Sequence, residues 1–262
     1  MEITTRIGCR VACRYCPQSV LVRAYTKRSD VLQLSIETFA ACLSKLPREV
    51  DIHFLGMSEP WLNPRCTDMV LQAHARGHRI SVSTTLAGMQ PSDVQQMRSV
   101  PFEAFILHLP ADDGAMSIGV DDAYVALLEY ICRSGIANLR FKRFGRLHPR
   151  LAWAAERIPE IDWPTMNRAN NLTASGIAAT PKVVGRIHCH RIRSNVLLPN
   201  GDVVLCCNDY AMRHVLGNLL IGTYRDLFQG AEFGRIKAGL TQNDAEILCR
   251  YCSEPCMKIA TS

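Results

Sequence analysis

Strand-length apolar runs alternate with helix-length amphipathic stretches over the first 145 residues, and that order constrains the fold more than any other feature. Residues 2–7 alternate and carry β-branched types. Runs of similar character recur at 50–56, 79–85, 105–110 and 136–144. Between them the periodicity predicts helices at 35–46, 66–76, 91–100 and 121–134. Ser35 is the N-cap of the first, Pro47 follows its end, and Gly77 sits at C′ of the second. Repeated strand–helix units imply a parallel sheet with right-handed crossovers. Five units are too few for a closed eight-fold barrel. Residues 23–30 read as a basic, mobile segment, and Cys42 as a core residue.

Two changes of character divide the rest. Residues 146–186 lose the periodicity and read as a linker that crosses the sheet's C-terminal mouth and includes a sixth strand; it holds Trp153 and Trp163. From residue 187 a hairpin is expected, because Asn200-Gly201 lies between two apolar runs. Short helices follow near 224–228 and 231–240. The expected division is therefore 1–145, 146–186 and 187–262.

Composition narrows the function. The chain of 262 residues is 48% hydrophobic and has no apolar run long enough to span a bilayer, so no membrane partner is expected. The first residues lack an apolar signal segment, which points to a reducing cytoplasm. Its twelve cysteines then read as metal ligands or core residues, not disulfides. A net charge of +6 favours anionic partners.

Three of those cysteines, Cys9, Cys13 and Cys16, fall in one loop at C-x3-C-x2-C spacing. Three thiolates in eight residues cannot share one helix face, but a loop can wrap them around one centre. A closed zinc site wants four ligands, and a [4Fe–4S] cube also normally takes four cysteines. Three leave one iron open to another ligand. This loop, with Tyr15 at its aromatic position, resembles the signature of the radical S-adenosylmethionine (SAM) superfamily. The resemblance implies an open, partial (β/α)6 TIM-like barrel, a cube held by Cys9, Cys13 and Cys16, and SAM bound at its open iron. Gly56-Met-Ser-Glu59-Pro60 resembles the family's second landmark in part, and implies SAM contacts from Gly56 and Glu59. Thr84, Thr85 and His108 stand at strand ends where the family contacts SAM. Alternation also puts Arg140 and Lys142 on one face of the fifth strand, where cations call for an anion such as the SAM carboxylate or a substrate phosphate.

The C-terminal region resembles the SPASM/twitch extension of the same superfamily: a cysteine-flanked hairpin, then Gly217-Asn-Leu, then Cys249-x2-Cys252. That resemblance implies a second, auxiliary [4Fe–4S] cluster on Cys189, Cys207, Cys249 and Cys252, with Cys206 or Cys256 as alternates. A spare thiol, Cys206 or Cys256, is then available to return a hydrogen atom to a substrate radical. The expected reaction is hydrogen abstraction from an unactivated C–H of a small polar, anionic substrate such as a nucleotide-sugar, ending in dehydrogenation, epimerisation or isomerisation. Basic residues at 140–150 and 186–193 are expected to flank the cavity. An external donor of the flavodoxin or ferredoxin type supplies the electron. Alternatives are a base-modifying enzyme of DNA or RNA, with Trp153 and Trp163 as stacking partners, and a zinc- or iron–sulfur-binding module without activity.

Overall fold

The computed structural model describes residues 1–162, 167–172, 177–253 and 257–259. Five parallel strands form one half of the main sheet: β1 (Glu2–Ile3), β2 (Ile52–Phe54), β3 (Ile80–Thr84), β4 (Ala104–His108) and β5 (Leu139–Lys142). The crossovers carry α1 (Gln18–Tyr25), α2 (Ile36–Leu43), α3 (Cys66–Ala75), α4 (Pro91–Met97) and α5 (Asp122–Arg133). Each start has a local cause. The Ser35 hydroxyl accepts from Thr38 N–H at 3.0 Å and caps α2. Asp121 caps α5 through Tyr124 N–H at 2.8 Å.

Burial along the strands divides the sheet into two faces. In β3, Ile80, Val82 and Thr84 are buried while Ser81 and Ser83 are half-buried. Ile80 and Val82 join the apolar core, where Phe39, Phe54, Phe105 and Leu128 are fully enclosed. Each such side chain contributes roughly 1.5–3 kcal/mol. The half-buried set lines an interior that strands do not close over.

Beyond β5, where a sixth strand was expected in the linker, the described residues show one parallel bridge, Phe141 to Glu160. Beyond β1, the C-terminal region continues the sheet. After β6 (Ile187–Cys189) come β7 (Val196–Leu197), β8 (Asp202–Val204) and β9 (Val215–Asn218). The order is β5-β4-β3-β2-β1-β7-β8-β9. Strand β7 runs parallel to β1, with Glu2 opposite Val196 and Ile3 opposite Leu197. The hairpin at Asn200-Gly201 forms as the sequence indicates, with Gly201 at φ +85°. Two short helices follow, α6 (Asp226–Gln229) and α7 (Ala231–Gly239), and β10 (Met257–Ile259) pairs antiparallel with β6.

The segment at 23–30, expected to be mobile, begins inside α1. Leu21 and Tyr25 are fully buried, and the Tyr25 hydroxyl donates to Val31 O at 2.6 Å. With Met57, Val196, Val204 and Tyr210 they form a second apolar cluster, against which Cys16 packs. No helix among the described residues is long and apolar enough to cross a membrane.

Candidate active site

One large cavity, about 1060 Å³ counting the solvent at its mouth, opens at the C-terminal ends of the parallel strands. Cys9, Cys13 and Cys16 line it together with Tyr15, and all three thiols are half-buried. Their loop has a fixed course. Arg14 N–H donates to Ala115 O at 2.8 Å, Ser117 N–H donates to Val11 O at 2.7 Å, and Cys16 N–H closes a turn on Cys13 O at 3.0 Å. Burial pushes the Cys13 thiol up to about 12 and raises Cys9 too, so these sulfurs become thiolates when a cation takes their protons' place. The Tyr15 hydroxyl is 2.9 Å from His108 Nε2, and both rings lie against Phe144. Burial first, then Lys142 and Arg168, hold His108 well below its ordinary value, so it stands as a neutral imidazole.

The loop from Gly56 to Pro60 lies against the end of β1. Met57 N–H donates to Thr4 Oγ1 at 3.1 Å, and the Ser58 hydroxyl donates to Arg6 O at 2.6 Å. Gly56 has φ +26°, and a Cβ there would stand 2.5 Å from Ile3 O, so no other residue fits. The carboxylate of Glu59, expected to meet SAM, is held by donors of the protein itself. Oε1 accepts from Thr84 Oγ1 at 2.6 Å and Trp61 N–H at 3.3 Å. Oε2 accepts from Thr85 N–H at 2.6 Å and Thr85 Oγ1 at 2.7 Å. These four contacts use the lone-pair sites a carboxylate has. Glu59, Thr84 and Thr85 still line the cavity, but as one clamped unit. Burial pushes Glu59 up, and these donors pull it back.

Three cations line the cavity: Lys142 on β5, Arg168 in the linker and Arg191 after β6. Arg140, expected beside Lys142, is exposed and is not part of the lining. Its register partner is Ile106, whereas Lys142 lies opposite His108, one step nearer the mouth. Burial, then Arg168, pushes Lys142 down to about 8. Several other cations of residues 140–150 sit at the surface in ion pairs: Arg143 with Glu160, Arg146 with Asp112 and Arg150 with Asp122. Arg168 stands at φ +53°, followed by Ala169 at +51° and Asn170 at +68°, a left-handed turn without glycine. Trp153 packs on the core with Arg157 over its ring, and Trp163 lies outside the described residues.

The second cysteine group assembles from three segments. Cys249 feels the charges of Cys189 and Cys252, and Cys206 feels that of Cys249. Cys206 packs with Cys249 against the main core, whereas Cys207 joins the second apolar cluster and lines the cavity. Of the two adjacent cysteines, Cys207 lines the cavity and Cys206 does not; Cys206 feels the charges of Cys207 and Cys249. Cys256 lies outside the described residues.

Residues 189–254 match the family model of the SPASM domain, an iron–sulfur cluster-binding domain. The fold is that of BtrN solved with AdoMet and 2-DOIA (17% identity, TM-score 0.64, 97% of this chain and 92% of that one). It is also that of anSMEcpe solved with AdoMet (12%, 0.55, 88% and 80%) and of Streptococcus suis SuiB bound to precursor peptide SuiA (11%, 0.57, 96% and 68%). No curated protein matches the chain in sequence. Residues 189–254 are thus similar to the SPASM domain, and the chain as a whole shares its fold with these three structures.

The SPASM residues fit a cluster. Arg250, between Cys249 and Cys252, is fully buried, and its Nε and Nη2 have no hydrogen-bond partner among the described residues. A buried guanidinium with open donors suits a negatively charged group held by thiolates. The cavity fits SAM as well. Gln18, which donates to Met57 O and to Cys16 Sγ, leaves its buried Oε1 without a partner, an acceptor for an ammonium beside the cysteine loop. Among the described residues no group of His, Cys, Asp or Glu is drawn together enough to hold a single metal ion. A cube binds each thiolate through a different iron, so its donors stand further apart.

Gln18, Arg168, Arg191 and Tyr210 also line the site, and the sequence did not single them out individually. Arg191 lies within the basic run at 186–193. Tyr210 carried no signal, yet its hydroxyl is 3.4 Å from Cys16 Sγ.

Proposed function

We propose that the chain is a radical SAM enzyme that takes a hydrogen atom from an unactivated C–H bond of a small anionic substrate. The observation that carries this reading is the shared cavity: three loop thiols on one wall, and Lys142, Arg168 and Arg191 among the rest of the lining. Cys9, Cys13 and Cys16 would hold a cube, and SAM bound beside it would supply a 5′-deoxyadenosyl radical.

The protein's own residues bind, orient and exclude. Gln18 Oε1 and the carbonyls of the Gly56–Pro60 loop are the acceptors for the SAM amine. The Glu59 clamp keeps the β3 end rigid beneath it. The ring stack of Tyr15, His108 and Phe144 covers one side of the cavity. Lys142 and Arg168, close enough to repel, draw a substrate carboxylate or phosphate between them. Cys189, Cys206, Cys249 and Cys252 are the ligands we assign to the SPASM cluster, with Arg250 beside them.

A peptide is the second reading, because SuiB is solved with a precursor peptide. An acidic peptide side chain offers the same anion to the same cations.

Anaerobic reconstitution with iron and sulfide, followed by SAM and dithionite, tests the proposal. The expected results are about eight irons per chain, from two cubes, and 5′-deoxyadenosine as product. Cys9→Ala removes the product. Iron uptake without any 5′-deoxyadenosine sinks the reading.

A further inference from the structure

Cys207 is a buried thiol in the reaction cavity that the proposed chemistry has not used. Its surroundings are built. Arg191 Nη2 is 3.5 Å from its Sγ, and the same nitrogen is 3.0 Å from Glu2 Oε1. Glu2, in the central strand β1, is only 3% exposed, and its carboxylate shares a hydrogen bond with the Cys207 thiol. Its Oε2 has no partner among the described residues. A thiol, a carboxylate and a guanidinium are thus gathered at the cavity wall. Cys206, one residue away, does not line the cavity and feels the charge of Cys249 as well as that of Cys207.

An S–H bond is weaker than an unactivated C–H bond, so a carbon radical in this cavity takes hydrogen from a thiol downhill. The same buried setting excludes bulk water, which would compete for reactive intermediates. Cys207 therefore has the position and the bond strength of a hydrogen-atom donor, and its neighbours are equipped to restore it.

We infer that Cys207 returns a hydrogen atom to the substrate radical, which makes the net reaction a redox-neutral inversion of a carbon centre and not a dehydrogenation. This deepens the reading above and rests on it. The atoms balance as follows. The substrate C–H bond breaks toward the 5′-deoxyadenosyl radical, giving 5′-deoxyadenosine and a substrate radical. The S–H bond of Cys207 breaks toward the opposite face of that carbon, giving product and a Cys207 thiyl radical. One electron from the iron–sulfur cluster held in part by Cys206, and one proton from solvent by way of Glu2, regenerate the thiol. The external one-electron donor re-reduces the cluster. Cys207 is the catalytic residue of this step; Glu2 and Arg191 position it.

The test needs no knowledge of the substrate. Without substrate, SAM and dithionite generate the adenosyl radical in an otherwise empty cavity, and in D2O the exchanged Cys207 S–D is a weak bond in its lining. The wild-type chain is expected to yield 5′-deoxyadenosine carrying one deuterium by mass spectrometry. Cys207→Ala and the near-isosteric Cys207→Ser, whose O–H bond is too strong to donate, are expected to lose that label. Equal label in wild type and both variants overturns the inference. A second measurement is independent of turnover. Iron analysis after reconstitution should find about eight irons in Cys207→Ala and about four in Cys206→Ala, because only the latter loses a cluster ligand. Loss of four irons from Cys207→Ala makes Cys207 a ligand and overturns the inference even if SAM is cleaved. A wild-type chain that loads both clusters but forms no 5′-deoxyadenosine fails at the earlier reading and takes this one with it.

Discussion

Glu59 shows how one side chain holds the elements of a site together. Both of its oxygens are filled by donors from Thr84, Thr85 and Trp61. Glu59→Gln puts an amide N–H₂ where a backbone N–H or a hydroxyl must donate. The expected cost is about 1–3 kcal/mol in chemical denaturation, the penalty for orphaning buried polar groups. Gly56→Ala is harsher, because the new methyl meets backbone at 2.5 Å; insoluble expression or loss of reconstituted iron is the expected readout. The left-handed turn at Arg168 carries the opposite sign. Ala169→Gly relieves φ +51° and should raise stability by about 0.5–1 kcal/mol while Arg168 keeps its place. None of these geometries is legible in the sequence. Glu59 stands out there only as an acidic residue before proline, and nothing in Arg168-Ala-Asn marks a positive φ.

At the scale of elements, legibility follows periodicity. Parallel strands buried by helices leave apolar runs, and α2 to α5 leave amphipathic ones, so their order was readable. Helix α1 was hidden by its cations, Arg23 within it and Lys27 and Arg28 just beyond, although Leu21 and Tyr25 anchor it. The places of Cys206 and Cys207 were hidden for another reason. Which thiol faces which site is decided by the backbone leaving β8, and spacing does not record that. The turn bearing Cys249 depends on a buried histidine. His214 Nε2 accepts from Leu248 N–H at 2.9 Å, so Nδ1 carries the hydrogen and donates to Glu232 Oε1 at 2.6 Å. His214→Ala orphans the Leu248 N–H, while Glu232 keeps Arg235, and should cost about 1–3 kcal/mol; the iron bound on reconstitution should fall toward that of a single cube.

Across the whole molecule the cations of the cavity act together. Lys142, pushed down to about 8 by burial and by Arg168, keeps its charge below that pH and sheds it above. Anion affinity is therefore full near neutrality and declines as pH rises through about 8. Sulfate, whose own charge is constant over this range, is a suitable probe by calorimetry. Its binding should weaken from pH 7 to 9 in the wild-type chain, and Lys142→Met should flatten that dependence. Unchanged sulfate affinity across the range would remove Lys142 from the anion site.

Strand β1 has neighbours from opposite ends of the chain: β2 on one side and β7, almost two hundred residues later, on the other. During synthesis the first cysteine loop leaves the ribosome well before β7, so the strand that anchors it lacks one edge until residue 197 has emerged. Tyr210, which meets Cys16, arrives later still. If that loop takes up iron, a nascent chain stalled before β7 should hold it less stably than one in which β7 and Tyr210 have emerged.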